Sequence, residues 1–292
     1  MILEYVVKDK SYESINQLIK LEFNISSRLL VKLIKNKKIL LNKNPTDTRK
    51  QPKLNDIVEV LLDLEEENSN IQPTEMDLDI VYEDEGLLVI NKQAGIAVHP
   101  SIRHYNDSLS NGIRFYFDKI GLKKKVRPVN RLDLNTSGLV IFAKNEYIQE
   151  CLIKQMKEGT FKKEYICVVK GKFDEKTGTI DLPIVRKENS IIERCVSNDG
   201  QEAITRYEVL EEKEDYSIVR CFLETGRTHQ IRVHMAYIGH SILGDTLYGS
   251  SSDLIYRQAL HCKSMTFINP VNNKTLSISC PIPEDINRLI TQ

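Results

Sequence analysis

The sequence predicts an α+β fold, with a mixed sheet forming the main body and a small α/β unit ahead of it. Three observations lead there. After residue 75, strand-like runs outnumber helix-like ones and do not alternate with them regularly, which argues against a doubly wound arrangement. An acidic, polar stretch ended by proline, Asp63-Leu-Glu-Glu-Glu-Asn-Ser-Asn-Ile-Gln-Pro73, divides the chain. The roughly 62 residues before it are too few to bury a large core, so they read as an appendage rather than the catalytic body. The expected division is residues 1–62, an acidic linker over 63–75, and the main body over 76–292.

The elements follow from local patterns. Ser11 to Leu21 predicts a short helix with Ile15, Leu18 and Ile19 on one face. Ser26 or Ser27 caps a second helix, in which Leu29, Leu30, Leu33 and Ile34 recur at helical spacing. Ile39-Leu-Leu-Asn-Lys-Asn44 is a strand entering a turn, and Asp56-Ile-Val-Glu-Val-Leu-Leu62 is another strand. In the main body, strands are expected at Ile80–Tyr82, Leu87–Ile90, Leu139–Ala143, Tyr165–Val169 and Ser217–Leu223. The clearest helix starts after Asn145 as N-cap and ends at Gly159. Its inward residues are Ile148, Cys151, Leu152 and Met156, with Lys154 and Lys157 in its final turns. No internal repeat recurs at a fixed period.

Composition narrows the class. Of 292 residues, 41% are hydrophobic and 28% charged, ordinary values for a globular protein. No stretch approaches the ~18 uninterrupted apolar residues of a membrane span, and Glu4 sits where a secretory leader is basic and then apolar. The six cysteines are scattered without a Cys-x-x-Cys pair, which predicts reduced thiols, mostly core hydrophobes, in a cytoplasmic protein. The zero net charge conceals segregation. Residues 1–62 carry 12 Lys/Arg against 7 Asp/Glu, residues 63–85 carry 10 acids and no base, and the remainder holds 29 bases against 24 acids. Two mildly basic bodies flank an acidic connector. The runs Lys35-Asn-Lys-Lys38 and Lys123-Lys-Lys-Val-Arg127 are either patches that steer anions or solvated faces.

Two segments concentrate chemistry. Val129-Asn-Arg-Leu-Asp-Leu-Asn-Thr-Ser-Gly138 precedes an apolar strand, so its charged groups sit on a loop held by buried sheet. Taken alone, its Arg-x-Asp describes a surface ion pair. Glu224-Thr-Gly-Arg-Thr-His-Gln-Ile-Arg-Val-His-Met235 gathers two arginines, two histidines and a glutamine behind a flexible Gly226. Read as extended, Gln230, Arg232 and His234 point one way, and His229 and His234 fall on opposite faces, which argues against a shared zinc. Phosphate-loop glycine patterns and a Gly-x-Ser-x-Gly elbow are missing. What remains is acid–base or covalent work by carboxylate, arginine and tyrosine on an anionic substrate.

Together these segments resemble the RluA family of pseudouridine synthases from about residue 76 to the end. The resemblance rests on Arg131-Leu-Asp-Leu-Asn-Thr-Ser-Gly138, on Lys163-Glu-Tyr165 followed by a strand and Gly171, and on Thr225–His234 continuing through Gly239–Asp245 to Tyr248-Gly249. Supporting runs are Ile80–Lys92 with His99-Pro100, and Gln258-Ala-Leu-His261 with Cys280-Pro281. Five segments in one order are highly specific. Residues 1–62 are similar to a small RNA-binding domain shared with a small-subunit ribosomal protein (the αL-motif domain), on the helix-helix-strand pattern, Ser27-Arg28 and Asn55-Asp56-Ile-Val-Glu-Val60. Two departures stand out: Asn130 where the family has histidine, and Gln93 where it has proline. Since asparagine still hydrogen-bonds, they are expected to alter loop geometry more than the reaction.

The resemblance implies a mainly antiparallel sheet with flanking helices and a monomer. It further implies cofactor-free isomerisation of a flipped-out uridine in ribosomal or transfer RNA, with no metal and no membrane. Asp133 is the implied catalytic carboxylate, attacking the ribose anomeric carbon or removing a ribose proton to start elimination. Arg232 is the implied salt-bridge partner of Asp133. Tyr165 is implied to pack against the uracil and help remove the carbon 5 proton. Arg131 fills the space vacated by the extruded base, while Arg227, Thr228, His229 and Gln230 line the groove and Arg28 contributes from the first unit. Two other classes compete. A non-catalytic RNA-binding relative would lack the aspartate or tyrosine, and a glycosidase would need a second positioned acid.

Overall fold

The computed structural model describes residues 1–8, 11–68 and 70–291. Ser69 of the acidic stretch lies outside the described residues.

The first unit runs β1 (Ile2–Val6), α1 (Ile15–Glu22), α2 (Ser27–Lys35), β2 (Ile39–Leu41), β3 (Asn44–Pro45) and β4 (Ile57–Leu61). Its strands pair antiparallel in the order β1-β4-β2-β3. Both helices start where hydroxyls cap them: the Gln17 N–H donates to Ser14 Oγ and the Leu29 N–H to Ser26 Oγ, each at 3.2 Å. Asn42 and Lys43, both at positive φ, make the tight turn between β2 and β3. Ile15, Leu18, Ile19, Leu29, Leu30 and Leu33 close over the sheet, whereas Ile34 faces outward.

The described residues of the acidic stretch form neither helix nor strand, yet they are held against the main body. The Glu66 N–H donates to the Lys123 carbonyl at 2.9 Å, Lys124 Nζ donates to the Leu64 carbonyl at 2.7 Å, and Asn68 Oδ1 accepts from the Val126 N–H at 2.8 Å. Arg127 pairs with Glu66 at 2.6 Å. Lys124 and Arg127 of the basic run 123–127 are therefore turned inward on this segment, while Lys123 and Lys125 stay exposed. Part of its charge is neutralised within the chain.

The main body continues with β5 (Ile80–Glu83), β6 (Leu87–Lys92), α3 (Leu109–Lys119), β7 (Arg127–Pro128), β8 (Ser137–Ala143), α4 (Glu146–Lys157) and β9 (Lys162–Lys170). Then come β10 (Thr177–Asp181), β11 (Ile184–Arg186), β12 (Arg194–Val196), β13 (Ile204–Glu212), β14 (Tyr216–Leu223), α5 (Gln230–Tyr237), β15 (Leu260–Asn269), β16 (Lys274–Ser279) and α6 (Glu284–Thr291). One large sheet runs β10-β13-β14-β9-β15-β8-β6-β5, with β16 on β15 and β7 on β8. Every pairing is antiparallel except β15 with β8. This is the mixed, mainly antiparallel α+β body that the sequence predicts.

The parallel seam positions the site. All seven residues of β8 are buried, and Gly138 lies so close to β15 that a Cβ there would fall 2.2 Å from the Cys262 carbonyl oxygen. Only glycine fits, both for that approach and for its φ of +111°. On the outer side, the Ile148 N–H donates to the Asn145 cap at 2.9 Å, and Gly159 ends α4 at φ +69°. Ile148 and Leu152 are buried, Cys151 and Met156 half-buried.

The first unit sits on α4. Ser26 Oγ donates to Glu150 Oε1 at 2.7 Å, Lys32 ion-pairs with Glu146, and Arg28 Nε lies 3.6 Å from the same carboxylate. Met1 and Tyr147 pack against both hydrophobic cores. All six cysteines are free, four of them buried. Among the described residues no helix is long and apolar enough to cross a membrane.

Candidate active site

The loop between β7 and β8 carries Arg131 and Asp133, and backbone contacts hold it. Lys92, 1% exposed, donates from Nζ to the carbonyls of Gln93, Ile96 and Leu134 at 2.8–2.9 Å. Burial pushes this ammonium down to about 7, with Arg257 adding to the effect and Asp133 opposing it. Arg257 donates to the Asn135 carbonyl at 3.0 Å and is itself gripped by Asp285 of α6 at 2.7 and 2.9 Å. Asn130 closes the loop onto β8: its Oδ1 accepts from the Ile141 N–H at 2.9 Å and its Nδ2 donates to the Leu139 carbonyl at 3.2 Å. The asparagine amide thus bonds the strand on both sides of Val140.

The second segment does not take the extended form on which the side-chain directions above rest. Gln230–Tyr237 is the helix α5, not an extended strand. Its first six residues are all buried, so neither polarity nor apolar spacing marks a solvent face. Gln230 lines the cleft that holds Asp133 but is deeply buried. At 2% exposure its Oε1 accepts from Thr225 Oγ1 and the Arg227 N–H, while its Nε2 donates to the Ile204 carbonyl and Thr205 Oγ1, at 2.8–3.0 Å. Its amide is consumed in shaping the turn into α5. His234 likewise bonds Thr205 Oγ1 and the Leu182 carbonyl, away from His229.

Helical geometry brings Arg232 onto the loop. Its Nη1 donates to Asp133 Oδ2 at 3.0 Å. Its remaining edge is clamped by Asp245, Nε to Oδ2 at 2.7 Å and Nη2 to Oδ1 at 2.8 Å. Burial works against the charged guanidinium, but the hydrogen-bonded Asp245 and then Asp133 outweigh it and raise the pKa of Arg232. Asp245 is 1% exposed and also accepts from the Leu247 and Tyr248 N–H groups. The Tyr248 ring lies under the guanidinium, 5.1 Å from ring centre to Cζ. Asp245 and Tyr248 stand in the Gly239–Gly249 run, but nothing in their spacing announces that they support Arg232.

Asp133, His229, Gln230 and Arg232 line a cleft of about 610 Å³ that also takes in Tyr165, Arg131, Arg227 and Thr228. Tyr165 comes from β9, and its phenol is raised well above its ordinary value by burial, by the neighbouring Cys262 and by Asp133. Asp133 Oδ2 is engaged by Arg232, and Oδ1 faces His229 Nε2 at 3.9 Å. Arg131 and Thr228 are exposed at the rim. Arg28 lies apart, on α2 against α4. The arrangement offers a carboxylate with one oxygen fixed by a cation and the other open, a buried phenol beside it, and basic groups at the entrance.

Comparison with known proteins agrees with this geometry. Residues 86–237 match the RNA pseudouridylate synthase family. The uncharacterized RNA pseudouridine synthase YjbO of Bacillus subtilis (strain 168) is 45% identical over 213 residues, 73% of this chain and 75% of the relative. Ribosomal large subunit pseudouridine synthase D of Neisseria meningitidis serogroup B is 35% identical over 289 residues, 94% of this chain and 76% of the relative. The solved structure of human RNA pseudouridylate synthase domain containing 1 shares the fold, with a TM-score of 0.59, 24% identity, and coverage of 76% of this chain and 96% of that one. With the mixed sheet, the cleft and relatives at this identity in agreement, the chain belongs to the RNA pseudouridylate synthase family, as an isomerase of the RluA type.

Proposed function

We propose that this synthase acts on uridine in structured ribosomal RNA of the large subunit, with Asp133 as the catalytic carboxylate. The observation that carries the reading is the Asp133 carboxylate, ion-paired to Arg232 at 3.0 Å and open on its other oxygen to a cleft shared with Tyr165. Large-subunit RNA is favoured over transfer RNA because relatives 35% identical bear that substrate in their names. Asp133 attacks the anomeric carbon or withdraws a ribose proton; each route needs a charged carboxylate within bonding reach of the sugar, which Arg232 favours. Tyr165 packs on the uracil and assists loss of the carbon 5 proton. Isomerisation changes no oxidation state, so the reading requires no cofactor.

Extruding a stacked uridine costs a few kcal/mol, and Arg131, exposed at the rim, fills the gap in this reading. Arg227, Thr228 and His229 contact sugar or phosphate. Residues 1–62 act as an RNA-binding domain of the αL-motif type, joined through 63–75 to a catalytic domain over 76–292. The separate hydrophobic core of the first unit and the exposed Arg28 on α2 support that division. A second RNA contact on the same chain raises affinity by effective concentration. The enzyme is read as a cytoplasmic monomer.

The test is single-nucleotide mapping of pseudouridine across total RNA from cells carrying the native chain or Asp133→Asn. The substitution is nearly isosteric and removes the charge, so one or a few large-subunit sites should vanish while RNA binding persists. Sites lost only in transfer RNA would move the substrate. Identical maps, together with no product from purified protein on extracted RNA, would sink the assignment.

A further inference from the structure

The hydrogen bonds around Tyr248 fix more than its own position. Its Oη lies 2.8 Å from the Arg194 backbone nitrogen and 2.8 Å from His229 Nδ1. A backbone N–H can only donate, so the phenol oxygen accepts there; its proton is assigned to His229 Nδ1 because the other tautomer would turn the bare Nε2 lone pair toward the Asp133 carboxylate. Burial lowers the pKa of His229 below the ordinary imidazole value, so the ring carries one proton at neutral pH. With Nδ1 serving as an acceptor, that proton sits on Nε2.

His229 Nε2 faces Asp133 Oδ1 at 3.9 Å, too far for a direct hydrogen bond. Asp133 Oδ2 is already engaged by Arg232. A donor and an acceptor therefore oppose each other across a gap that admits one oxygen at about 2.8 Å from each. A hydroxyl satisfies both, accepting from Nε2–H and donating to the carboxylate. Two further features hold the ring in this orientation. His229 sits at φ +59° as the N-cap of α5, and it meets the Tyr248 ring edge-on at 5.6 Å. The same Tyr248 ring lies under Arg232, so one side chain orients both partners of Asp133.

On the reading of Asp133 given above, which places the ribose beside its carboxylate, we propose that His229 and Asp133 bracket the ribose 2′-hydroxyl and that Tyr248 is the positioning residue fixing the His229 tautomer. The 2′-hydroxyl is borne by the carbon next to the one whose bond to the base breaks. The pair thus selects RNA over DNA at the reacting nucleotide itself, where a contact to phosphate would not.

The experiment is a cycle across protein and substrate. Single-turnover rates are measured for an RNA fragment carrying the mapped uridine, and for the same fragment with 2′-deoxyuridine at that one position. Native enzyme, His229→Ala and Tyr248→Phe are compared. Because deoxygenation alters sugar reactivity by itself, the readout is the ribo/deoxy rate ratio in each protein. His229→Ala should shrink the native ratio about tenfold or more, and Tyr248→Phe severalfold, at enzyme concentrations that saturate each RNA. If both variants lose rate but keep the native ratio, the two residues act only structurally and the 2′-hydroxyl contact is wrong; a ratio that falls only in His229→Ala removes Tyr248 from the proposal. A native enzyme inactive on the all-ribose fragment would instead remove the functional reading beneath it.

Discussion

The carboxylate of Asp245 grips Arg232 by two hydrogen bonds of 2.7 and 2.8 Å, and that grip decides where the guanidinium meets Asp133. Asp245→Asn keeps the shape, but it removes the charge and one of the two acceptors. A guanidinium that is mostly buried then has Asp133 alone as its counter-charge, and it should swing toward it or bind it in poorer geometry. We expect kcat to fall by about 10- to 100-fold, as for other groups that orient a charged partner, with RNA affinity within a few-fold of native. Single-turnover rates and filter binding would show this, and an unchanged rate would mean that Arg232 needs no second carboxylate. At this scale the sequence was partly legible. Motif resemblance named Asp133, Tyr165 and Arg232, and the structure brings all three to one cleft. Asp245 and Tyr248 stayed hidden because their importance lies in a contact across 13 and 16 positions with no local pattern. The burial of Gln230 is not legible in the sequence, because a polar side chain can be buried where every atom is bonded.

Elements made chiefly of apolar runs were readable; elements set by tertiary bonding were not. The β8 strand announced itself as Leu139–Ala143 with Gly138 before it, and the cap of α4 by Asn145. By contrast α5 carries β-branched residues in alternation and has no apolar stripe, so local pattern favoured a strand. Its helical form is imposed by the four hydrogen bonds of Gln230 at its start and by burial on all sides. The seam of β8 and β15 gives an element-scale prediction. In Gly138→Ala the new Cβ would overlap backbone atoms of Cys262 at 2.2 and 2.6 Å, at a φ that disfavours L side chains. Neither strand can withdraw, since the contacts are main chain in a buried sheet. Strain and overpacking together should destabilise the fold by about 3–5 kcal/mol, a drop on the order of 10 °C in Tm. A melting temperature within about 2–3 °C of native would show that the seam is more yielding than its spacing implies.

Over the whole molecule, 41 basic and 41 acidic residues balance, and part of the acidic connector folds onto a basic run, as Glu66 with Arg127 shows. Composition revealed the segregation but not the docking, which depends on where the sheet presents residues 123–127. Burial of histidine is the other property visible only in three dimensions. His261, 1% exposed, lies at the β8–β15 seam between Ser137 Oγ at 3.0 Å and Cys280 Sγ at 3.4 Å. Burial, helped by Lys263 and Arg257, pushes it down to about 4, and burial lowers His99, His229 and His234 as well. In the unfolded chain these imidazoles titrate near about 6.5. Between about 6.5 and 4 the unfolded state therefore binds more protons, so stability falls as pH drops through that window and levels off, for His261, below about 4. His261 alone accounts for up to about 3 kcal/mol of that loss. Urea unfolding at about pH 7 and pH 4.5 should show a marked decrease for the native chain and a smaller one for His261→Gln, whatever the variant's stability at neutral pH. Glutamates titrate near the acid end of this window, but equally in both proteins, so the difference between the two decreases isolates His261. Equal pH sensitivity in the two proteins would mean that His261 accepts its proton without unfolding the seam.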